Sequence, residues 1–105
     1  MAKKIQTSGV EALVAVIVHG LQEKKGINIV SLDLRKTSSA FADFFVICNG
    51  GSARQVDALA DSVEAEVRKA LAEKPTHREG NDESEWVLLD YINVVVHIFS
   101  EEKRN

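Results

Sequence analysis

The chain has 105 residues, 45% of them hydrophobic and 28% charged, with a formal net charge of −3 at pH 7. That length fits one domain, and the apolar fraction is enough to build a real core. A single cysteine, Cys48, excludes an internal disulfide or a thiolate metal cluster, no apolar stretch nears the ~20 residues of a bilayer span, and no Lys/Arg cluster is present to track a phosphate backbone.

The first residues, MAKKIQTSG, lack the apolar run and cleavage site of a secretory signal and the arginines of a transit peptide, which points to a cytoplasmic protein. Ser8-x-x-Glu11 reads as a capping box opening a first helix. Val10, Leu13, Val14, Ile17, Val18 and Leu21 then recur at helical spacing until Lys24-Lys25-Gly26 stops it. From Ile27 to Arg35, Val30, Leu32 and Leu34 alternate with Ser31, Asp33 and Arg35, the pattern of a half-exposed strand near a sheet edge. A polar turn, Lys36 to Ala42, follows. Phe44 to Cys48 is apolar on both faces, as a central strand is.

Asn49-Gly50-Gly51 breaks that strand, and Ser52 is placed to cap a second helix. Its stripe is Val56, Leu59, Ala60, Val63, Val67, Ala70 and Leu71, and Lys74-Pro75 is its stop. Thr76 to Ser84 is a polar loop with room for a short strand at its start. Trp86 to Tyr91 and Val94 to Phe99 form two more strands across the hairpin-length connection Ile92-Asn93. Ser100-Glu101-Glu102 has the character of a helix start. The order predicts an α/β fold, one domain over residues 1–105, with a mixed sheet covered by helices.

Charge is unevenly distributed. Residues 1–75 carry ten Lys/Arg and nine Asp/Glu, whereas residues 76–105 carry three and seven. An acidic end favours a basic protein surface as partner over direct nucleic-acid contact, although a solvated acidic loop has the same composition. The Gly50-Gly51-Ser52 turn opening a helix resembles the start of a nucleotidyltransferase site. Such an enzyme needs two or three adjacent carboxylates for divalent metal, and no Asp-x-Asp pair follows; Asp90 has Asn93 where a companion acid would stand. A metal-dependent nucleotidyltransferase is therefore the weaker reading, and no catalytic, cofactor or metal residues are assigned. His97 shares a strand face with Val95 and Phe99, a place where His is more often a core or rim residue than a direct partner contact, and no second ligand sits at helical or hairpin spacing from it to hold a metal. Trp86 and Tyr91 are amphipathic aromatics suited either to an interface hot spot or to core packing.

Taken together, Asp43 ahead of an aromatic strand, the turn residues Gly50, Ser52, Arg54 and Gln55, then Glu79-Gly80, Trp86, Asp90 and Val96-His97 resemble the ribosomal silencing factor (iojap) family. The resemblance runs from about Val10 to Arg104. It departs at Gly51, where the family usually has Thr, and at Ile92-Asn93, where it usually has Gly-Asp. Family members also continue into an aromatic C-terminal helix missing here, so the resemblance implies a truncated chain.

The resemblance implies a nucleotidyltransferase-like topology without catalysis. It also implies binding to the large ribosomal subunit through its protein numbered fourteen, blocking the small subunit and slowing translation under nutrient limitation. The expected partner-binding residues are Asp43, Ser52, Arg54, Gln55, Glu79, Trp86, Asp90, Tyr91 and His97, with no cofactor, no membrane, and a homodimer as one state off the ribosome.

Overall fold

A computed structural model describes residues 9–37 and 41–101. The elements run α1 (Val10–Glu23), β1 (Ile27–Asp33), β2 (Phe44–Gly50), α2 (Ala53–Leu71), β3 (His77–Gly80), β4 (Trp86–Asp90) and β5 (Val94–Ser100). The strands form one five-stranded sheet in the order β1-β2-β5-β4-β3. Only β2 and β5 pair in parallel, and α2 with the β3–β4 hairpin supplies the long crossover that a parallel pair requires. The single domain and mixed sheet agree with the sequence pattern, with β3 realised as the extra strand.

Burial explains each placement. β2, apolar on both faces, is central, whereas the alternating β1 is an edge strand. A register shift between Ile27 and Val30, with Asn28 at φ 53°, interrupts β1, a device that discourages further pairing at an exposed edge. The core lies between the sheet and the two helices. It joins Leu13, Ile17 and Leu21 of α1 and Val56, Leu59, Val63 and Val67 of α2 to Val46, Cys48, Leu89, Val96 and Ile98. Cys48 is fully buried, as its apolar neighbours predict.

The helices cross closely at Gly20. A Cβ there would lie 3.0 Å from the Val63 Cα, and the Ser62 hydroxyl donates to the Gly20 carbonyl at 2.7 Å. Ser52 caps α2 as expected, its Oγ accepting from Gln55 N at 3.1 Å. α2 stops before Lys74-Pro75, because Ala72 turns left-handed at φ 57°. Gly9 stands at the N-cap of α1 without a side-chain cap bond, and the expected capping residue Ser8 lies outside the described residues. Of the helix start read at Ser100-Glu101-Glu102, Ser100 closes β5 and Glu101 is helical, while Glu102 lies outside the described residues. At the far edge, Arg78 of β3 reaches back to α2, donating to Asp61 Oδ1 (2.9 Å) and Glu64 Oε2 (2.7 Å), which ties the short edge strand to the helix layer.

Candidate functional site

Both helices pack on one side of the sheet, so the pleat assigns every strand residue to a covered or an uncovered face. On β4 and β5 the covered set is Val87, Leu89, Val94, Val96 and Ile98, all buried. The opposite set is half-buried, and no described helix lies over it.

Register gives the layout of this face. One row pairs Leu32 with Phe45, Phe45 with Val95, Val95 with Asp90, and Asp90 with His77. The middle row runs Val30, Ile47, His97, Leu88 and Glu79. Trp86 stands opposite Phe99 in the third. The centre is therefore apolar and aromatic, with Val30 and Leu32 exposed at the β1 side and the carboxylates of Glu79 and Asp90 at the other. A contiguous apolar patch with a charged rim is the usual anatomy of a protein-binding surface.

His97 sits at the middle of this face. Its ring meets Phe45 edge-on (centroids 5.0 Å apart, interplanar angle 63°) and stacks on Phe99 (6.2 Å, 7°). Its Nε2 is buried without a hydrogen-bond partner, and burial holds its pKa below the ordinary histidine value. The ring therefore adds to the apolar, aromatic centre of this face rather than to its charge.

Four of the sequence-predicted residues, Glu79, Trp86, Asp90 and His97, meet on this one face. Tyr91 does not. It lies one residue beyond the end of β4, with its ring in the core and only 6% of its surface exposed. Its hydroxyl has no partner, and burial, helped by the Glu64 and Glu73 carboxylates, raises its pKa. Of the two roles open to this aromatic, core packing is the one its position supports.

Asp43 precedes β2, where its backbone N–H donates to Asn93 O (2.7 Å) and its carbonyl accepts from Leu34 N (2.7 Å), drawing three strands together. Ser52, Arg54 and Gln55 stand at the start of α2, on the helix side. Gln55 latches the two helices: its Nε2 donates to the carbonyls of Lys24 (3.1 Å) and Lys25 (3.2 Å), and its Oε1 accepts from Gly51 N (2.6 Å).

The residues missed by motif reading are Phe45, Ile47, Leu88 and Phe99. Their signal was present as strand alternation, but it could be used only once the helices were known to cover a single face. Among the described residues no group of three or more His, Cys, Asp or Glu side chains could hold a metal ion, and no helix is long and apolar enough to cross a membrane.

Residues 7–105 match the protein family described as "Ribosomal silencing factor during starvation". A relative named ribosomal silencing factor RsfS, from Haemophilus influenzae, is 38% identical over 93 residues, covering 89% of each chain. Another of that name, from Halalkalibacterium halodurans, is 36% identical over 97 residues, covering 90% of this chain and 79% of its own. Two crystal structures have the same fold. A protein from Chromobacterium violaceum superposes with a TM-score of 0.80 at 32% identity, over 89% of this chain and 76% of that one. A protein from Bacillus halodurans gives 0.80 at 31%, over 90% and 86%.

Proposed function

The chain belongs to the ribosomal silencing factor family, and from that premise we propose that it represses translation by seating the uncovered face of its sheet on the large ribosomal subunit. The contact is the large-subunit protein numbered fourteen, and the mechanism is steric. The observation that carries this reading is the convergence of Glu79, Trp86, Asp90 and His97 on one apolar surface that no described helix covers. Three alternating strands had to agree in register for that to happen.

Magnitudes fit the role. Five strands about 4.8 Å apart and four to seven residues long present a face on the order of 450 Å². A standard interface needs about 800 Å² per partner, so loops at the rim must supply the rest. The acidic loop beside β3, carrying Asp82, Glu83 and Glu85, is placed to do so and to steer the protein onto a basic surface. The body measures 42 × 31 × 23 Å. Held on a subunit-joining surface, even its shortest dimension exceeds the few ångströms over which the subunits could touch. No chemistry is required.

The protein acts in the cytoplasm, where ribosomes are. Off the ribosome the same apolar face is available to a second copy, so homodimer formation competes with ribosome binding. Sedimentation tests the proposal: the protein should travel with free large subunits, keep added small subunits apart, and leave joined ribosomes intact. Equal sedimentation with joined and free large subunits would overturn the steric mechanism.

A further inference from the structure

Trp86 is the largest side chain on the uncovered face and the only tryptophan in the chain. It follows directly on the loop joining β3 to β4, so whatever fixes that loop fixes where the indole stands. Two ties hold the loop. The first is internal: Asn81 Oδ1 accepts from Glu85 N at 2.7 Å, and Asn81 Nδ2 donates to Glu85 Oε1 at 3.1 Å. The Ser84 N–H closes the same turn on Asn81 O at 3.1 Å. The second tie comes from the helix layer, where Ser84 Oγ donates to Asp57 Oδ2 of α2 at 2.8 Å across 27 positions of chain.

Ser84 has its backbone at φ 55°, a left-handed conformation in which glycine carries no steric cost. A serine there accepts strain, and the bond to Asp57 is what its side chain gains in return. Asp57 is turned toward the loop. Its other oxygen is 3.9 Å from Arg78 Nη2, whereas Asp61 and Glu64 make the short contacts with that guanidinium, at 2.9 and 2.7 Å. On the other side β3 leaves no slack, since a Cβ on Gly80 would lie 2.7 Å from Trp86 O. The residues just before Trp86 are thus clamped between α2 and β3.

We propose that Asp57 is a positioning residue for ribosome binding: through Ser84 it holds, from the helix side of the sheet, the loop that sets Trp86 on the opposite face. This role rests on the sheet-face contact put forward above and extends it to a residue outside that face. The physical gain is preorganisation. A large side chain ordered in advance loses less freedom on binding, which raises affinity without adding a contact.

The first measurement needs no ribosome. With a single tryptophan, the decay of fluorescence anisotropy reports on Trp86 alone. Asp57→Ala and Ser84→Gly should each add a fast local motion, on the nanosecond scale or below, that the parent lacks. Glycine keeps the left-handed backbone, so the second variant removes only the hydroxyl. Asp57→Asn retains an acceptor oxygen for Ser84 and should restore the parent's decay. Asp61→Ala is the control, because it takes a short contact from Arg78 without touching the loop.

The second measurement is co-sedimentation with free large subunits. Asp57→Ala and Ser84→Gly should bind roughly two- to tenfold more weakly, the cost of ordering one large side chain on binding. Asp57→Asn and Asp61→Ala should bind like the parent. An unchanged anisotropy decay in Asp57→Ala, or equal mobilisation of Trp86 by Asp61→Ala, overturns the proposal. So does a mobile Trp86 with undiminished binding. Leu88→Glu, at the centre of the same face, then shows which reading has failed: loss of binding in that variant leaves the sheet-face contact standing without the positioning role, and full binding removes both.

Discussion

Leu88 and Leu89 are neighbours in the chain yet belong to opposite worlds: Leu88 lies across from His97 on the uncovered face, whereas Leu89 lies across from Val96 and is fully buried under the helices. The pair separates binding from folding. Leu88→Glu should leave stability within about 1 kcal/mol of the parent, as surface substitutions usually do. It should weaken large-subunit binding by ~2 kcal/mol or more, about thirtyfold, because it puts a charge in the centre of the contact. Leu89→Ala should do the reverse, costing ~2–5 kcal/mol of stability. Urea denaturation and co-sedimentation read the two effects, and a Leu88→Glu protein that binds like the parent would remove the sheet face from the mechanism.

Tyr91 gives a prediction of opposite sign for two substitutions. Tyr91→Ala empties a core position and should destabilise by ~3–5 kcal/mol. Tyr91→Phe keeps the ring and deletes a buried hydroxyl with no partner, so stability should be equal or higher by about 1 kcal/mol. Thermal unfolding of both variants checks this. A loss of more than 1 kcal/mol in the Phe variant would mean that the hydroxyl has a partner in solution.

Gln55→Ala should loosen the corner where α1 ends and α2 begins, since one side chain makes three bonds to backbone there. The expected loss is about 1–3 kcal/mol. Amide exchange should accelerate first at Gly51, which loses its acceptor directly, and a rate there equal to the parent's would show that water replaces the side chain without penalty.

The pH dependence of stability follows from His97. Burial lowers its pKa in the folded protein, so between the folded value and 6.5 the unfolded chain binds more protons. Its contribution is thus complete above pH 6.5 and is lost as pH falls below it. Its register neighbours Ile47 and Leu88 are uncharged, and the nearest carboxylate in that row, Glu79, is a strand further on. His97→Phe should therefore flatten the stability profile between pH 7.5 and 5. The comparison cancels His19 and His77, and identical urea midpoints against pH for variant and parent would contradict it.

Ile92 stands at φ 75° at the tip of the β4–β5 hairpin, a left-handed backbone that a β-branched side chain adopts only under strain. Its side chain is 63% exposed, so little packing compensates. Ile92→Gly should raise stability by about 0.5–1 kcal/mol, the relief of strain exceeding the extra entropy of glycine in the unfolded chain. A lower unfolding temperature in the variant would show that the exposed side chain contributes more than the strain removes.

Local patterns along the chain determined most of the elements. Apolar spacing marked α1 and α2, Ser52 marked the start of α2, alternation marked β1 as an edge strand, and apolarity on both faces marked β2 as central. These signals are short-range: each depends on a residue and neighbours within a turn or two. The same is true of the ordered motif residues from Asp43 to His97, which carried the family resemblance. What only the tertiary structure decided was which residues share a surface. Trp86 and Tyr91 stand five positions apart and so fall on opposite faces by alternation, but only the position of the helices decided which face is covered, leaving Trp86 opposite Phe99 on the open face and Tyr91 in the core. Asp57 and Ser84 meet only because the β3–β4 hairpin folds back along α2. Pairing between distant segments is set by the burial of the whole apolar set at once, and no window of sequence contains that information.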